Sequence, residues 1–315
     1  MNESAATIAY VFGLVGLGWL TARLGVLKKG TGDGLADFAV TIAAPVLLFR
    51  TMAGADFSGS APWLLWAVYF GAVALTWTTG HGAIRLLFGR DRRAGVVAGV
   101  SSAFSNLVLI GIPLILSLLG QAGFETLSLI IAVHLPVMMS ASIILFEWAS
   151  RDGRAVDIGA VARTFLRRLF ANPLILGILA GLAWRVTGLD LPTPVPRMVD
   201  ALAGVAGPVA LFAMGMSLND FGLGGNLRAA FVLAVIKLFA MPAIALCLAW
   251  LAGLPAPVAE VAVMAAALPA GVNSYLIATR FGTGQALAAS AMTLGTAAAL
   301  LSTAFWITVA RAVFG

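Results

Sequence analysis

Two short segments place polar and helix-breaking residues together inside apolar surroundings. One reads Ser101-Ser102-Ala103-Phe104-Ser105-Asn106-Leu107-Val108-Leu109-Ile110-Gly111-Ile112-Pro113, the other Ala267-Leu268-Pro269-Ala270-Gly271-Val272-Asn273-Ser274-Tyr275. Proline removes a backbone donor and clashes with the turn before it, and glycine lets the chain open. Each segment is therefore expected to interrupt a helix. An interruption frees backbone N–H groups and exposes the positive end of the following half-helix, which together can receive an anion. Ser105, Asn106, Asn273 and Ser274 add neutral hydrogen-bonding groups. The candidate binding residues are thus Ser105, Asn106, Pro113, Pro269, Gly271, Asn273 and Ser274. Proline kinks and small residues also serve plain helix packing; their appearance in two places favours a site.

Two ionisable side chains fall within apolar runs. Such residues are costly in lipid and usually face a cavity or a partner. Lys237 could attract an anionic substrate, pair with a carboxylate, or bond backbone carbonyls. His134 has the side chain suited to proton coupling, and the alternative is a packing residue. No HExxH, GxSxG, Walker A or CxxC pattern occurs, so no enzyme, cofactor or metal site is expected. The single cysteine, Cys247, excludes an internal disulfide.

The elements that must position these residues follow from composition. Of 315 residues, 61% are hydrophobic and 10% charged, where a soluble domain carries roughly a quarter charged. Lipid must cover most of such a surface. The long continuous apolar runs fit helices and not the short alternating segments of a barrel. One crossing needs about 20 apolar residues. Ten spans are expected, at 6–25, 34–54, 61–88, 93–119, 124–149, 171–188, 198–218, 227–252, 257–280 and 284–312. The net charge of +6 lies in the loops, which argues for the positive-inside rule and against nucleic acid. With the N-terminus outside, fourteen Lys or Arg fall inside, among them Lys28, Lys29, Arg90, Arg92, Arg93, Arg151, Arg154, Arg163, Arg167 and Arg168, and four outside. Both termini are therefore expected on the non-cytoplasmic side of the cell's inner (plasma) membrane. Met1 to Thr7 lacks the basic residues of a cleaved signal.

The chain also repeats itself. Ala44-Pro45-Val46-Leu47-Leu48-Phe49 followed by Asp56-Phe57 returns as Gly207-Pro208-Val209-Ala210-Leu211-Phe212 followed by Asp220-Phe221, and Gly120-Gln121-Ala122 returns as Gly284-Gln285-Ala286. Five spans per copy is an odd number, so the second copy enters from the other side: an inverted repeat, with 1–150 and 171–315 as the two halves and 151–170 as a basic cytoplasmic linker. That organisation, with Gly/Pro-interrupted spans at matching positions, belongs to secondary transporters.

At these residues the sequence resembles the auxin efflux carrier family, which includes plant PIN-type carriers and bacterial malonate or malate permeases. The resemblance rests on Ser105 to Leu114 with its Gly-Ile-Pro-Leu end, on Asn172-Pro173 followed by Gly177 and Gly181, on Pro208 to Leu218 with Met-Gly-Met-Ser-Leu, and on Leu268-Pro269-Ala270-Gly271. It implies an all-α membrane protein of ten helices in two inverted five-helix repeats, with spans 4 and 9 as broken crossover helices. Spans 1, 2, 6 and 7 would form a scaffold and homodimer, and spans 3–5 and 8–10 a moving transport domain. A small carboxylate would bind at the crossing, with Asn106, Pro113, Pro269 and Gly271 carried over by position. Asn273 and Ser274 depart from the more apolar plant pattern. Two other readings fit the same residues. One is a sodium-coupled organic acid symporter of the related bile-acid-carrier fold; the other is a membrane anion sensor that does not transport. Coupling to protons, to sodium or to neither stays open at this point.

Overall fold

In the computed structural model, residues 3–28, 30–55, 62–150 and 158–315 are described. Among them the chain is helical throughout, with one isolated backbone bridge and no strand. The helices are α1 (Glu3–Arg23), α2 (Thr31–Phe38), α3 (Ala44–Gly54), α4 (Pro62–Phe88), α5 (Arg92–Ala103), α6 (Ile112–Ser150), α7 (Ile158–Phe170), α8 (Pro173–Thr187), α9 (Val195–Phe221), α10 (Leu227–Val235), α11 (Met241–Leu251), α12 (Ala256–Ala267), α13 (Val272–Arg280) and α14 (Gln285–Phe314). Six segments of the described residues are long and apolar enough to cross a bilayer: Ser4–Arg23, Thr31–Gly54, Leu107–Ala149, Val195–Phe221, Leu227–Leu251 and Gln285–Phe314. The third of these is interrupted at Gly120, whose φ of 66° lies in the left-handed region that glycine alone enters freely. Asp56-Phe57, Lys29, Arg151 and Arg154 lie outside the described residues.

Three π-helical turns, Ala39–Ala43, Leu107–Gly111 and Ile236–Ala240, each run directly into an α-helix whose second residue is proline: Pro45, Pro113 and Pro242. Proline offers no N–H to the carbonyl four residues back and its ring crowds that carbonyl. Widening the preceding turn accommodates both. Asn172 closes the start of α8 in a different way. Its side-chain oxygen accepts from the Leu174 N–H at 3.0 Å, and Pro173 follows at the first helical position, where its missing donor costs nothing.

The chain divides into two compact units. The first comprises Met1–Ala61, Leu107–Val133 and Arg167–Asp220. Its helices touch backbone to backbone. A Cβ on Gly18 would run into the carbonyl of Phe212, and one on Gly215 into that of Val15; Gly181 stands the same way against Phe49, and Gly177 against Pro45. Gly18 and Gly181 are 163 residues apart, and so are Phe49 and Phe212.

The second unit comprises Pro62–Asn106, His134–Leu166 and Phe221–Gly315. Here α4 and α5 interlock: Gly80 lies under Ser102, Gly99 against the Trp77 indole and Gly95 against the His81 ring. Ile84, Ala98, Ala229, Ala230, Leu233 and Ala291 form one buried cluster. The last seven residues of α12 are all fully buried, and the Trp306 indole N–H donates to the carbonyl of Leu238 at 2.7 Å.

Within the expected linker, Ile158–Phe170 forms a helix, in which Ala162, Phe165 and Leu169 recur at the three- and four-residue spacing of one helical face. Arg163 and Arg167 on it are exposed.

Candidate functional site

Both expected interruptions are present. Helix α5 stops at Ala103, and its successor Phe104 turns extended (φ −86°, ψ 91°). Helix α12 stops at Ala267, with Leu268 extended (φ −61°, ψ 146°), and α13 starts at Val272. A broken helix leaves carbonyls on one side and N–H groups on the other without partners, and no water reaches such groups in a bilayer interior. The two breaks satisfy each other. The Asn106 N–H donates to the Pro269 carbonyl at 2.9 Å, and the Gly271 N–H donates to the Phe104 carbonyl at 3.1 Å, so that Ser105 and Ala270 face each other as an antiparallel bridge. Pro269 contributes only the acceptor it has. Gly271 lets the two strands of chain approach closely: a Cβ there would stand 3.3 Å from the Asn106 Cα.

Around the bridge the second unit gathers buried polar groups. Ser105, Asn106, His134, Lys237 and Ser274 are all buried. The Lys237 ammonium donates to the carbonyl of Ala266 at 2.6 Å and contacts the Met241 thioether at 3.1 Å. The same sulfur lies 4.0 Å from the Ser105 hydroxyl, which links the lysine to the bridge. Ala266 belongs to the last turn of α12, whose unpaired carbonyls carry partial negative charge; the ammonium sits on that end. No carboxylate stands against it among the described residues. The His134 ring is caged by Phe104, with centroids 4.8 Å apart, by Tyr69 at 5.7 Å and by Phe70 at 6.3 Å. Ser105 adjoins both the His134 ring and the Tyr69 hydroxyl, without reaching good hydrogen-bond geometry to either.

Of the candidate residues, Ser105, Asn106, Pro269 and Gly271 meet at the bridge. Ser274 adjoins it, but its hydroxyl is engaged with the Gly271 carbonyl at 2.8 Å, so it steadies the start of α13. Asn273 is half-buried in the first turn of α13. Pro113 belongs to the other unit, where it adjoins Gly207. His134 and Lys237 both line the polar cluster. Sequence reasoning missed Tyr69, Phe104 and Met241. Tyr69 is one of only three tyrosines in the chain and lies in an apolar run, and Met241 precedes a proline; both signals were available. A cavity of about 240 Å³, bordered by Arg90, Asn226, Thr283 and Gln285, lies elsewhere in the second unit and includes none of the candidate residues.

The family described as "Membrane transport protein" matches residues 4–307. A Rhizobium meliloti (strain 1021) protein named "Putative malonate transporter" is 30% identical over 94% of this chain and 92% of its own length. An "Uncharacterized transporter" of Methanothermobacter thermautotrophicus is 24% identical over 97% and 98%. "Auxin efflux carrier component 1" of Arabidopsis thaliana is 28% identical over 42% of this chain and 22% of its own length.

Proposed function

We propose that this chain, which belongs to the membrane transport protein family of auxin efflux carriers and malonate permeases, is a secondary carrier of a small carboxylate. The family and the relatives are transporters, not enzymes. The observation that carries the finer reading is the pairing of two helix breaks at Ser105 and Ala270. The breaks use their own main chain to close against each other, and the side chains around them are uncharged except for Lys237 and the titratable His134. A carboxylate would bind beside the bridge, held by the Asn106 carboxamide and the N-terminal end of α13, with Lys237 offsetting its charge.

Several features support the ten-span, inverted-repeat architecture. The Gly18–Phe212 and Gly181–Phe49 contacts recur at the offset of the sequence repeat. Gly120 and Gly284, matched at nearly the same offset, both take positive φ before a Gln-Ala helix start. Leu107–Ala149, at 43 residues, is over twice the length one crossing needs and turns at Gly120. Alternating access would move spans 3–5 and 8–10 against spans 1, 2, 6 and 7 in a homodimer of the plasma membrane, with both termini outside.

Counterflow tests the reading. Purified chain in proteoliposomes loaded with unlabelled malonate should accumulate labelled malonate from outside. Binding of malonate and other mono- and dicarboxylates without any exchange would sink the carrier reading and leave a sensor.

A further inference from the structure

Helix α7 carries three rows of side chains side by side, and we propose that it lies in the membrane surface as an in-plane anchor docked on anionic lipid headgroups. The sequence sets the rows. Phe165 and Leu169 are half-buried and one turn apart. Leu166 and Phe170 follow them in the chain, so they lie about 100° further round the helix. These two are 52% and 59% exposed. Arg163 and Arg167 lie about 60–100° further in the same sense, and both are exposed. Packed apolar, exposed apolar, exposed basic is the order of a helix with one flank on its own protein, its underside in lipid and its basic edge among headgroups.

The next helix fixes the depth of this one. At 13 residues, α7 falls short of the about 20 that a crossing needs. It hands over to α8 through Ala171 and Asn172 alone. The Ala171 N–H donates to the Arg167 carbonyl at 3.1 Å and the Asn172 N–H to that of Leu169 at 3.4 Å, while the Asn172 side chain caps α8. The two helices are thus tied together with little slack. Helix α8 is apolar and leaves Leu176 and Leu179 exposed on its outer side. In the ten-span architecture proposed above, on which this anchor depends, α8 is span 6, so Phe170 stands where that span enters the bilayer.

Charge selects the occupant. Among the described residues no carboxylate pairs with Arg163 or Arg167. Between positions 151 and 168 the sequence holds five arginines and two aspartates, Asp152 and Asp157. A zwitterionic lipid answers the apolar row but not the basic one. A lipid whose headgroup carries a net negative phosphate, such as phosphatidylglycerol, answers both.

The test uses the whole chain in vesicles and no carboxylate, so its failure leaves the carrier reading intact. Cys247, the single cysteine and an exposed one, is removed by Cys247→Ala, and Leu166→Cys takes a fluorophore. The vesicles are phosphatidylcholine, with or without phosphatidylglycerol, doped with lipid brominated at the top of its acyl chains. Phosphatidylglycerol should raise quenching of the Leu166 reporter about twofold or more, and high salt should shrink that rise by screening the headgroups. Arg163→Gln with Arg167→Gln should abolish it. Equal quenching in both lipids, or a rise that the double variant keeps in full, overturns the anchor. Absence of quenching in either lipid also overturns it and leaves this face to a protein partner. A second reporter, Leu176→Cys, tests the span assignment separately: it should be quenched in both lipids, and if it is not, span 6 falls and the anchor with it. Should the labelled chain fail to fold, unlabelled wild type in detergent decides. Phosphatidylglycerol should raise its unfolding temperature above that in phosphatidylcholine, and the double arginine variant should lose the rise; equal temperatures in the wild type overturn the anchor.

Discussion

Asn106 donates its backbone N–H to the carbonyl of Pro269, 2.9 Å away in a segment more than 160 residues further along the chain. The main chain makes this junction, so removing the Asn106 carboxamide leaves both bridge hydrogen bonds in place.

Asn106→Ala keeps the N–H and removes the carboxamide. The variant should still fold and unfold cooperatively in detergent. Malonate binding should weaken about tenfold or more, as expected when a charged acceptor loses a side-chain donor. Uptake by this variant at the wild-type rate would remove Asn106 from the site.

Gly271→Ala introduces a Cβ 3.3 Å from the Asn106 Cα and 3.4 Å from its Cβ. The backbone there has φ of −89°, so the conformation itself is not strained. Asn106 would have to give by a few tenths of an ångström. The expected cost in stability is about 1 kcal/mol, with a clear loss of malonate affinity; Gly271→Val should be worse on both counts. An unaltered affinity in Gly271→Val would show that the spacing of the two breaks is not what the ligand reads.

Gly18→Ala and Gly181→Ala each push a methyl group onto a backbone carbonyl, of Phe212 and Phe49 respectively, which cannot rotate away. Both should lower stability by about 1–3 kcal/mol, and by similar amounts if the two contacts are copies of one design. Gly13→Ala and Gly16→Ala on the same helix meet nothing within 4 Å. They should be neutral or slightly stabilising, since alanine favours helix by up to about 1 kcal/mol over glycine. Thermal unfolding of the four variants side by side checks this.

His134→Phe replaces the imidazole by a ring of similar shape, inside a cage of Phe104, Tyr69 and Phe70. Removing buried polar nitrogens whose neighbour Ser105 stands in poor hydrogen-bond geometry relieves a desolvation cost. Stability should be equal or higher. If His134 carries a coupled proton, uptake driven by an imposed proton gradient should disappear in this variant while counterflow persists, and a gradient response equal to the wild type would limit His134 to packing.

The second break was legible because Leu268-Pro269-Ala270-Gly271 concentrates both kinds of helix breaker in four residues. The first was legible in place but not in cause. Pro113 suggested itself as the breaker, yet the chain leaves the helix at Phe104 and Pro113 is absorbed into the next helix after a π turn. What holds the first break open is pairing with Pro269 and Gly271, a tertiary contact that no local pattern reports. The π turns were hidden for a related reason: proline signals a disturbed turn, while the choice between a kink and a widened turn depends on packing. Helix α7 carries its own apolar spacing, interleaved with basic residues that also suit an exposed connection. The equal spacing of Gly18 with Gly181 and Phe49 with Phe212 stood in the sequence, but glycine in an apolar helix is too common to be noticed before its neighbour is known.

The bridge between Ser105 and Ala270 is written in amides and carbonyls, which every residue but proline carries. Side chains at these two positions can therefore drift without loosening the junction. The two breaks thus stay joined by a link that substitutions beside it, taken one at a time, leave in place.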